Sequence, residues 1–263
     1  MGQKAKEIRW GELDFAEADQ NRVRCGDVLV EMRRSGKEIS LASRQLKDGE
    51  TGEEDDDSAK WTRWAVSNNS DKIQILPSLP DLPVLVNPTT PFNILPGADV
   101  RLFVRLPISV TVGVRGDLEQ TLLEVPTEKL SNTWFGETDN GELCYWLEAD
   151  IHTEPLPEID AAGAMAVLAV HNDSSETLPV ERICLRVGGL TLYQADDRLV
   201  TNATVIRYQG GVQPSNVTLK NNPPREYKAA KLVNLPREAG PQNVVGRTFR
   251  SLRKWTVDLL DIG

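Results

Sequence analysis

The chain has 263 residues, with 30 lysines and arginines against 39 aspartates and glutamates, which gives a net charge of −9. A composition of 40% hydrophobic and 26% charged residues is typical of a globular protein and excludes a disordered chain. The longest apolar run covers residues 161–170, which is too short for a transmembrane helix.

Three further features limit the classes of function that remain: the start of the chain, its cysteines and its histidines. No apolar segment of the kind that directs secretion occurs at the start, so a cytoplasmic location is expected. Cys25, Cys144 and Cys184 are odd in number and far apart, which favours free buried thiols over a disulfide framework or a zinc site. His152 and His171 each end a predicted strand without a nucleophile motif beside them. We therefore assign no catalytic, cofactor-binding or metal-binding residue.

Short apolar stretches that alternate with polar residues follow one another along the chain. Alternation with a period of two predicts β-strands. The predicted strands cover residues 23–32, 38–44, 100–106, 108–114, 120–125, 143–151, 164–170, 180–187, 190–195 and 199–208. Closely spaced strands with almost no helical pattern between them predict an all-β sandwich or barrel.

Turn residues support several hairpins between these strands. Gly36 occupies the expected left-handed position of the loop at residues 33–37. Asn140-Gly141 is the commonest pair in a two-residue hairpin turn, because both residues tolerate a positive φ. Residues 172–176 and Asp196-Asp197 separate further pairs of alternating runs.

Three segments break the alternation and indicate how the chain is divided. Residues 49–58 include five consecutive acids and predict a solvated, mobile loop. Residues 75–97 contain six prolines and predict extended, edge-type chain laid across a first module. Residues 153–162 are the best candidate for a linker between modules. We predict two antiparallel β-sandwich modules, 1–155 and 156–243; a single elongated sandwich is the alternative.

Residues 244–263 follow a helical pattern instead. The apolar residues recur at intervals of four, three, three and four, at Val245, Phe249, Leu252, Trp255 and Leu259. Four basic side chains lie largely off this stripe, namely Arg247, Arg250, Arg253 and Lys254. This pattern predicts a cationic, amphipathic C-terminal α-helix that contacts a protein partner or an anionic membrane surface, or packs on the body of the chain itself. Because that body is acidic, nucleic acid is not an expected partner.

Trp61, Trp64 and Trp134 are the candidates for an exposed aromatic platform. Exposed tryptophans bind carbohydrate or peptide on many β-sandwiches. Alternation places Trp61 and Trp64 on opposite faces of a strand, so burial in the core is the competing interpretation. The oxygen-rich residues 137–142 faintly resemble a calcium loop, but a hairpin turn explains Asn140-Gly141 without a metal.

Several turn and strand patterns resemble a known family. They are Asn93 to Gly97 followed by Val100 to Ile108; Trp134-Phe135-Gly136 through Asn140-Gly141 to Cys144-Tyr145-Trp146; and Val170 to Glu176 with Leu178 to Ile183 and Leu192-Tyr193. On these residues, most of 1–225 resembles an uncharacterised prokaryotic family, domain-of-unknown-function family 432. The resemblance implies an unassigned function and transfers no catalytic residue.

Three classes of function follow from these observations. The leading hypothesis is a non-enzymatic cytoplasmic interaction protein that uses a β face or the basic C-terminal tail to dock a protein or membrane-associated partner, or to self-associate. The alternative is a carbohydrate- or peptide-binding β-sandwich that uses its exposed tryptophans. An enzyme is the third class and rests only on the abundance of acidic residues. No cofactor is expected.

Overall fold

The described part of the chain is nearly all β. The computed structural model describes residues 5–14, 20–47, 50–52, 59–66, 72–115, 120–210, 215–238 and 243–246. These residues form 22 strands and two 3₁₀ turns, Val187–Gly189 and Arg225–Tyr227, with no α-helix among them. The all-β prediction is therefore confirmed.

The strands are short and follow one another closely. In chain order they are β1 (Lys6–Glu7), β2 (Gly11–Asp14), β3 (Gln20–Cys25), β4 (Val28–Ser35), β5 (Glu38–Gln45), β6 (Thr62–Ala65), β7 (Lys72–Ser78), β8 (Val84–Pro88), β9 (Phe92–Ile94), β10 (Asp99–Pro107), β11 (Ser109–Arg115), β12 (Gln120–Pro126), β13 (Ser131–Phe135), β14 (Glu142–Ala149), β15 (Gly163–Asn172), β16 (Leu178–Val180), β17 (Ile183–Leu185), β18 (Leu192–Ala195), β19 (Arg198–Tyr208), β20 (Ser215–Leu219), β21 (Lys231–Asn234) and β22 (Asn243–Gly246).

The chain divides into two compact units, and unit 1 comprises Met1–Ser78, Pro107–Lys129 and Asp160–Gly163. Its strands form a five-stranded sheet in the order β1-β3-β4-β5-β6 and a four-stranded sheet in the order β12-β11-β7-β2. Strands β3 to β6 pair antiparallel with their neighbours, whereas β1 pairs parallel with β3.

The central strands of the five-stranded sheet are buried on both faces. Met32, Ile39 and Leu41 fill one face and are fully buried. On the other face Arg22 lies opposite Glu31 in the β3–β4 register, and Arg22 Nε is 2.7 Å from Glu31 Oε1. Both of these charged side chains are almost completely buried. The sheet therefore combines an apolar face with an internal ion pair.

Unit 2 comprises Leu79–Leu106, Leu130–Ile159 and Ala164–Gly263. Its largest sheet has seven strands, with the order β10-β15-β19-β18-β21 and with β20 joining β19 to β22. A four-stranded sheet has the order β13-β14-β8-β17, and β9 pairs with β16.

Strand β15 lies between β10 and β19 in the seven-stranded sheet and is buried almost from end to end. Such a strand must be covered on both faces, because successive side chains point to opposite sides. On one face Phe103, Val167 and Tyr193 belong to one buried cluster. Tyr227, from the second 3₁₀ turn, packs against that cluster.

The strand pairing is not purely antiparallel, and that part of the fold prediction is wrong. The pairs β1/β3, β8/β14 and β15/β19 are parallel. Turn chemistry specifies only hairpins between consecutive strands, so parallel partners from distant parts of the chain leave no local signal. The packing of the sheets into two sandwiches stays a prediction.

The predicted division of the chain into 1–155 and 156–243 also stays a prediction, although the compact units are discontinuous in sequence. A boundary at 155 would fall inside Leu130–Ile159, which belongs to unit 2. The chain passes into unit 1 at Asp160, within the predicted linker at residues 153–162.

Strand β8, within the proline-rich segment 75–97, is not edge-type chain, which corrects the prediction for that part of the segment. Strand β8 lies between β14 and β17 in the interior of its sheet, and residues 84–86 are fully buried. Pro83 precedes β8 and Pro88 is its last residue. Proline lacks a backbone N–H and is tolerated at the ends of a strand, so an interior strand fits between these two.

Two predicted strands are each split in the structure. The segment 23–32 is a hairpin, with β3 and β4 joined at Gly26-Asp27, and Gly26 has a φ of 57°. The segment 180–187 contains the end of β16, all of β17 and the start of a 3₁₀ turn. A break of only two residues, whether a hairpin turn as between β3 and β4 or a bend as between β16 and β17, hardly interrupts the alternation on which both predictions rested.

The predicted C-terminal helix does not begin at residue 244. Residues 243–246 form β22, which pairs antiparallel with β20. The remainder of the predicted helix lies outside the described residues, and so do its basic side chains, Arg247, Arg250, Arg253 and Lys254. Within the described part of the chain no helix has the length and apolar character needed to cross a membrane.

Candidate docking face on strands β13 and β14

Trp134 on β13 presents a half-exposed indole that is held in a fixed position. The residue is 49% exposed, and its Nε1–H donates to the backbone carbonyl of Glu137 at 3.1 Å. A Cβ atom at Gly141 would lie 2.1 Å from Trp134 Nε1, so only glycine leaves room for the ring. An aromatic ring already held in place loses little conformational entropy when a ligand binds it.

The close approach of the indole explains Gly141 better than turn chemistry does. Phe135 lies opposite Glu142 in the β13–β14 register, so the connection comprises residues 136–141 and not a two-residue turn. The positive φ of this connection, 112°, belongs to Gly136, and neither Asn140 nor Gly141 has a positive φ. The prediction of a two-residue turn at Asn140-Gly141 is therefore wrong.

Leu143 and Tyr145 on β14 extend the exposed surface of Trp134. Leu143 lies directly opposite Trp134 and is 44% exposed. Tyr145 lies on the same face two residues further along, and its hydroxyl donates to Asp81 Oδ1 at 2.9 Å. Trp134, Leu143 and Tyr145 are called the Trp134 face below. Strand β13 is the outer strand of this sheet, and no described strand pairs with its other side.

Three exposed acidic side chains lie next to the ends of the Trp134 face in the chain or in contact with it. Glu137 and Asp139 are exposed in the connection between β13 and β14, and Asp81 is exposed beside Tyr145. Carboxylates around an apolar surface attract cationic groups and repel anionic ones. The Trp134 face is therefore suited to a partner that carries both apolar and basic side chains.

The opposite face of the same sheet contains two buried thiols. The Sγ atoms of Cys144 and Cys184 are 3.9 Å apart, and Arg186 forms an ion pair with Glu142 beside them. The hydrogen bond from Cys184 lowers the pKa of the Cys144 thiol, whereas the same hydrogen bond and burial raise the pKa of the Cys184 thiol. Cys25 is buried as well, and its thiol donates to the backbone carbonyl of Ala161 at 3.1 Å, so all three cysteines are buried thiols, as predicted.

The other two predicted platform residues belong to unit 1. Trp61 is half-buried, and the guanidinium of Arg33 lies 4.0 Å from the centroid of its ring. Trp64 is on β6 opposite Ile39, on the buried face of the sheet, and its Nε1 is buried. Because Trp134 belongs to unit 2, neither unit by itself contains all three predicted platform residues.

The two histidines have different partners in unit 2. The backbone of His152 pairs with that of Phe103, and His171 Nδ1 is hydrogen-bonded to Asp99. In the part of the chain that the structure describes, no three His, Cys, Asp or Glu side chains are grouped so that they could hold a metal ion.

Comparison with known proteins assigns the chain to a family. Residues 9–253 match the model of a protein family of unknown function, DUF432. The chain belongs to the DUF432 family. The resemblance noted from the sequence is thereby confirmed. No curated protein and no solved structure matches the chain. The DUF432 match includes every residue of the Trp134 face and its nearby acids.

Sequence reasoning identified only part of the Trp134 face. It named Trp134 as a platform residue, and the alternation along β14 already separates Leu143 and Tyr145 from Cys144 and Trp146. The pairing of Leu143 with Trp134 could not be deduced, because it depends on the length of the connection. Asp81 is 64 residues from Tyr145 along the chain and has no local signal.

Proposed function

We propose that this DUF432 protein is a non-enzymatic interaction protein whose Trp134 face binds a basic, extended segment of a protein partner. One observation carries the proposal: a fixed, half-exposed indole lies beside an exposed leucine on the open edge of a sheet, with carboxylates nearby. Backbone, apolar and charged interactions are all available to one ligand there.

The open edge of β13 supports recognition by strand addition. An outer strand presents unpaired backbone N–H and C=O groups that an extended peptide can pair with. Alternate side chains of an added strand point to the same face. Every second side chain of the peptide would therefore lie over the Trp134 face.

The side chains of the Trp134 face support a basic partner. Tryptophan is enriched among the residues that contribute most to binding energy, since it buries a large area with few rotatable bonds. Lysine and arginine also interact favourably with the face of an indole ring. Asp81, Glu137 and Asp139 add attraction that depends on salt concentration.

Carbohydrate is the second candidate ligand for this face. Two aromatic residues, Trp134 and Tyr145, lie on one side of β13 and β14, an arrangement on which a sugar ring can stack. Neutral sugar would bind independently of salt and of the nearby carboxylates. Contact between the C-terminal basic residues and a membrane or protein partner stays a prediction, because those residues lie outside the described part of the chain.

Titration calorimetry with a synthetic ten-residue peptide tests the proposal. The peptide alternates lysine with valine or threonine, and a second peptide carries glutamate in place of lysine. We expect the basic peptide to bind saturably and Trp134→Ala to weaken its binding by about tenfold or more, because truncation of a central tryptophan costs about 2 kcal/mol or more. The acidic peptide is expected not to bind.

A matched control variant distinguishes binding at the Trp134 face from binding at any exposed apolar side chain. Leu232 is 57% exposed on β21, which is also the outer strand of its sheet. Leu232→Ala is expected to leave the affinity for the basic peptide unchanged. Equal weakening by Trp134→Ala and Leu232→Ala, or equal binding of both peptides, would contradict the proposal. Salt-independent binding of neutral oligosaccharides that requires Trp134 would favour carbohydrate instead.

A further inference from the structure

A second candidate site lies in unit 1, on the face of the five-stranded sheet opposite to its apolar core. Arg33 lies opposite Ser40, and Ser40 lies opposite Arg63, so these residues form one row across β4, β5 and β6. Neighbouring strands are about 4.8 Å apart, which places the backbones of the two arginines about 10 Å apart. Ser40, whose side chain is small, lies between them, and this row of three residues is called the Arg33–Arg63 notch below.

Arg33 is already oriented by Trp61. Its guanidinium lies 4.0 Å from the centroid of the Trp61 ring. Stacking on an aromatic ring occupies the face of a guanidinium but leaves the N–H donors in its plane available. Among the described residues no carboxylate forms an ion pair with Arg33, whose side chain is exposed. These in-plane donors can therefore meet a ligand.

Arg63 is held only loosely by its carboxylate partner. The side chain is 72% exposed, and its Nη1 is 3.8 Å from Glu38 Oε1, too far for a direct hydrogen bond. Lys37 and Lys60 are exposed and adjoin Glu38 and Trp61 in sequence. Among these described residues the basic side chains outnumber the single carboxylate of Glu38; the five consecutive acids at residues 53–57 lie outside the described part of the chain.

We propose that the Arg33–Arg63 notch binds the phosphate group of a phosphate ester. A phosphate monoester carries close to two negative charges at neutral pH and three terminal oxygens, enough to accept hydrogen bonds from two guanidinium groups. The Ser40 hydroxyl can donate to the same group. A carboxylate has two oxygens in one plane and satisfies one guanidinium fork, so phosphate fits the notch better.

This site is separate from the proposed function. The Arg33–Arg63 notch lies in unit 1, whereas the Trp134 face lies in unit 2. The two sites also select opposite charges, since one offers guanidinium groups and the other carboxylates. Failure of phosphate binding would leave the docking of a basic peptide untouched, and the reverse also holds.

Titration calorimetry of the full chain with O-phosphoserine tests the phosphate proposal. We expect saturable binding that weakens at least tenfold in the double variant Arg33→Gln, Arg63→Gln, because each guanidinium donates charge-assisted hydrogen bonds. The matched control is Arg225→Gln, which removes an arginine of unit 2 with the same 72% exposure and its own carboxylate partner, Glu226. The Arg225→Gln variant is expected to bind O-phosphoserine with the same affinity as the wild-type protein.

The double variant could lose affinity because it misfolds, so a third variant is chosen that is expected to gain affinity. Glu38→Gln removes the carboxylate that competes for Arg63, so it is expected to tighten the binding of O-phosphoserine several-fold. A misfolded protein would lose affinity and could not show this gain. Unchanged or weaker binding in Glu38→Gln would overturn the proposal.

The choice of probe distinguishes the sources of the phosphate group. A phosphoserine nonapeptide that binds at least tenfold more tightly than O-phosphoserine, with no binding of its unphosphorylated form, would identify a phosphorylated protein segment. Equal affinity for both would identify a small phosphate ester. The absence of saturable binding of O-phosphoserine, the phosphopeptide and inorganic phosphate up to about 10 mM would overturn the proposal.

Discussion

Glu226 is an acidic residue whose surroundings act on its pKa in opposite directions. Burial raises the pKa, but hydrogen bonds from its own backbone N–H and from Arg225 and Arg101 outweigh that effect. The shortest of the side-chain contacts joins Arg101 Nη2 to Glu226 Oε2 at 2.6 Å. The pKa of Glu226 is therefore lowered from its ordinary value of 4.5.

This lowered pKa predicts acid-sensitive stability. A carboxyl group with a lowered folded-state pKa stabilises the fold above its unfolded pKa, and this contribution is lost as the pH falls through the folded pKa. We expect Glu226→Gln to lower the melting temperature at pH 7 by about 2–4 °C, which corresponds to about 1 kcal/mol in a chain of this size. The difference should shrink as the pH falls below 4.5. A difference that stays constant in thermal melts down to acid pH would contradict this account.

At the scale of elements, the β3–β4 hairpin contains an unusual cross-strand pair. Arg22 and Glu31 are buried on the face opposite the apolar core of the five-stranded sheet, 2.7 Å apart. A charge buried without its partner is costly, because the lost hydration is no longer compensated. Replacement of both charges by apolar groups of similar size removes that cost.

We therefore expect a large difference between single and double substitutions in this pair. Glu31→Ala should lower the free energy of unfolding by about 3–5 kcal/mol, because it removes the buried carboxylate that lies 2.7 Å from the Arg22 guanidinium. The double variant Arg22→Met, Glu31→Met should lose much less or even gain stability. Urea denaturation measures both. A loss below about 1 kcal/mol in Glu31→Ala would mean that Arg22 is not confined to a buried environment.

The elements that could be predicted from the sequence are those with local causes. Alternation identified β5 and β19 nearly to the residue, and Gly36 adopts the expected left-handed conformation with a φ of 57°. The interior position of β8 was missed, since six prolines around it favoured edge chain. A position between Pro83 and Pro88 is compatible with an edge strand or an interior strand. Only the pairing of β8 with both β14 and β17 distinguishes the two.

The candidate site was predictable only in part for the same reason. Trp134 was identified as an aromatic residue near a turn. The position of Leu143 opposite Trp134 depends on the strand register, which the sequence does not specify. Gly141 was explained by a positive φ, whereas the structure shows that the Trp134 ring occupies the space of a side chain. Contacts between residues that are distant in sequence, such as Tyr145 with Asp81, leave no pattern in a single sequence.

At the scale of the whole molecule, the two compact units are each assembled from three separate segments. A reading along the chain finds the linker-like residues 153–162 but not the return of the chain into each unit, because the returning segments are ordinary strands. The two proposed sites divide between the units, with an acidic, aromatic face in unit 2 and a basic notch in unit 1.

The Trp134 face and the outer edge of β13 are proposed to dock a basic, extended segment. Hydrogen exchange by mass spectrometry, with and without the alternating lysine peptide, tests this docking most directly. Strand addition would give new hydrogen bonds to every second amide of β13 (residues 131–135), those that point away from β14, so we predict slower exchange there and in the connection at 136–141. Peptide binding that leaves the exchange of β13 unchanged, or that protects only unit 1, would contradict the account.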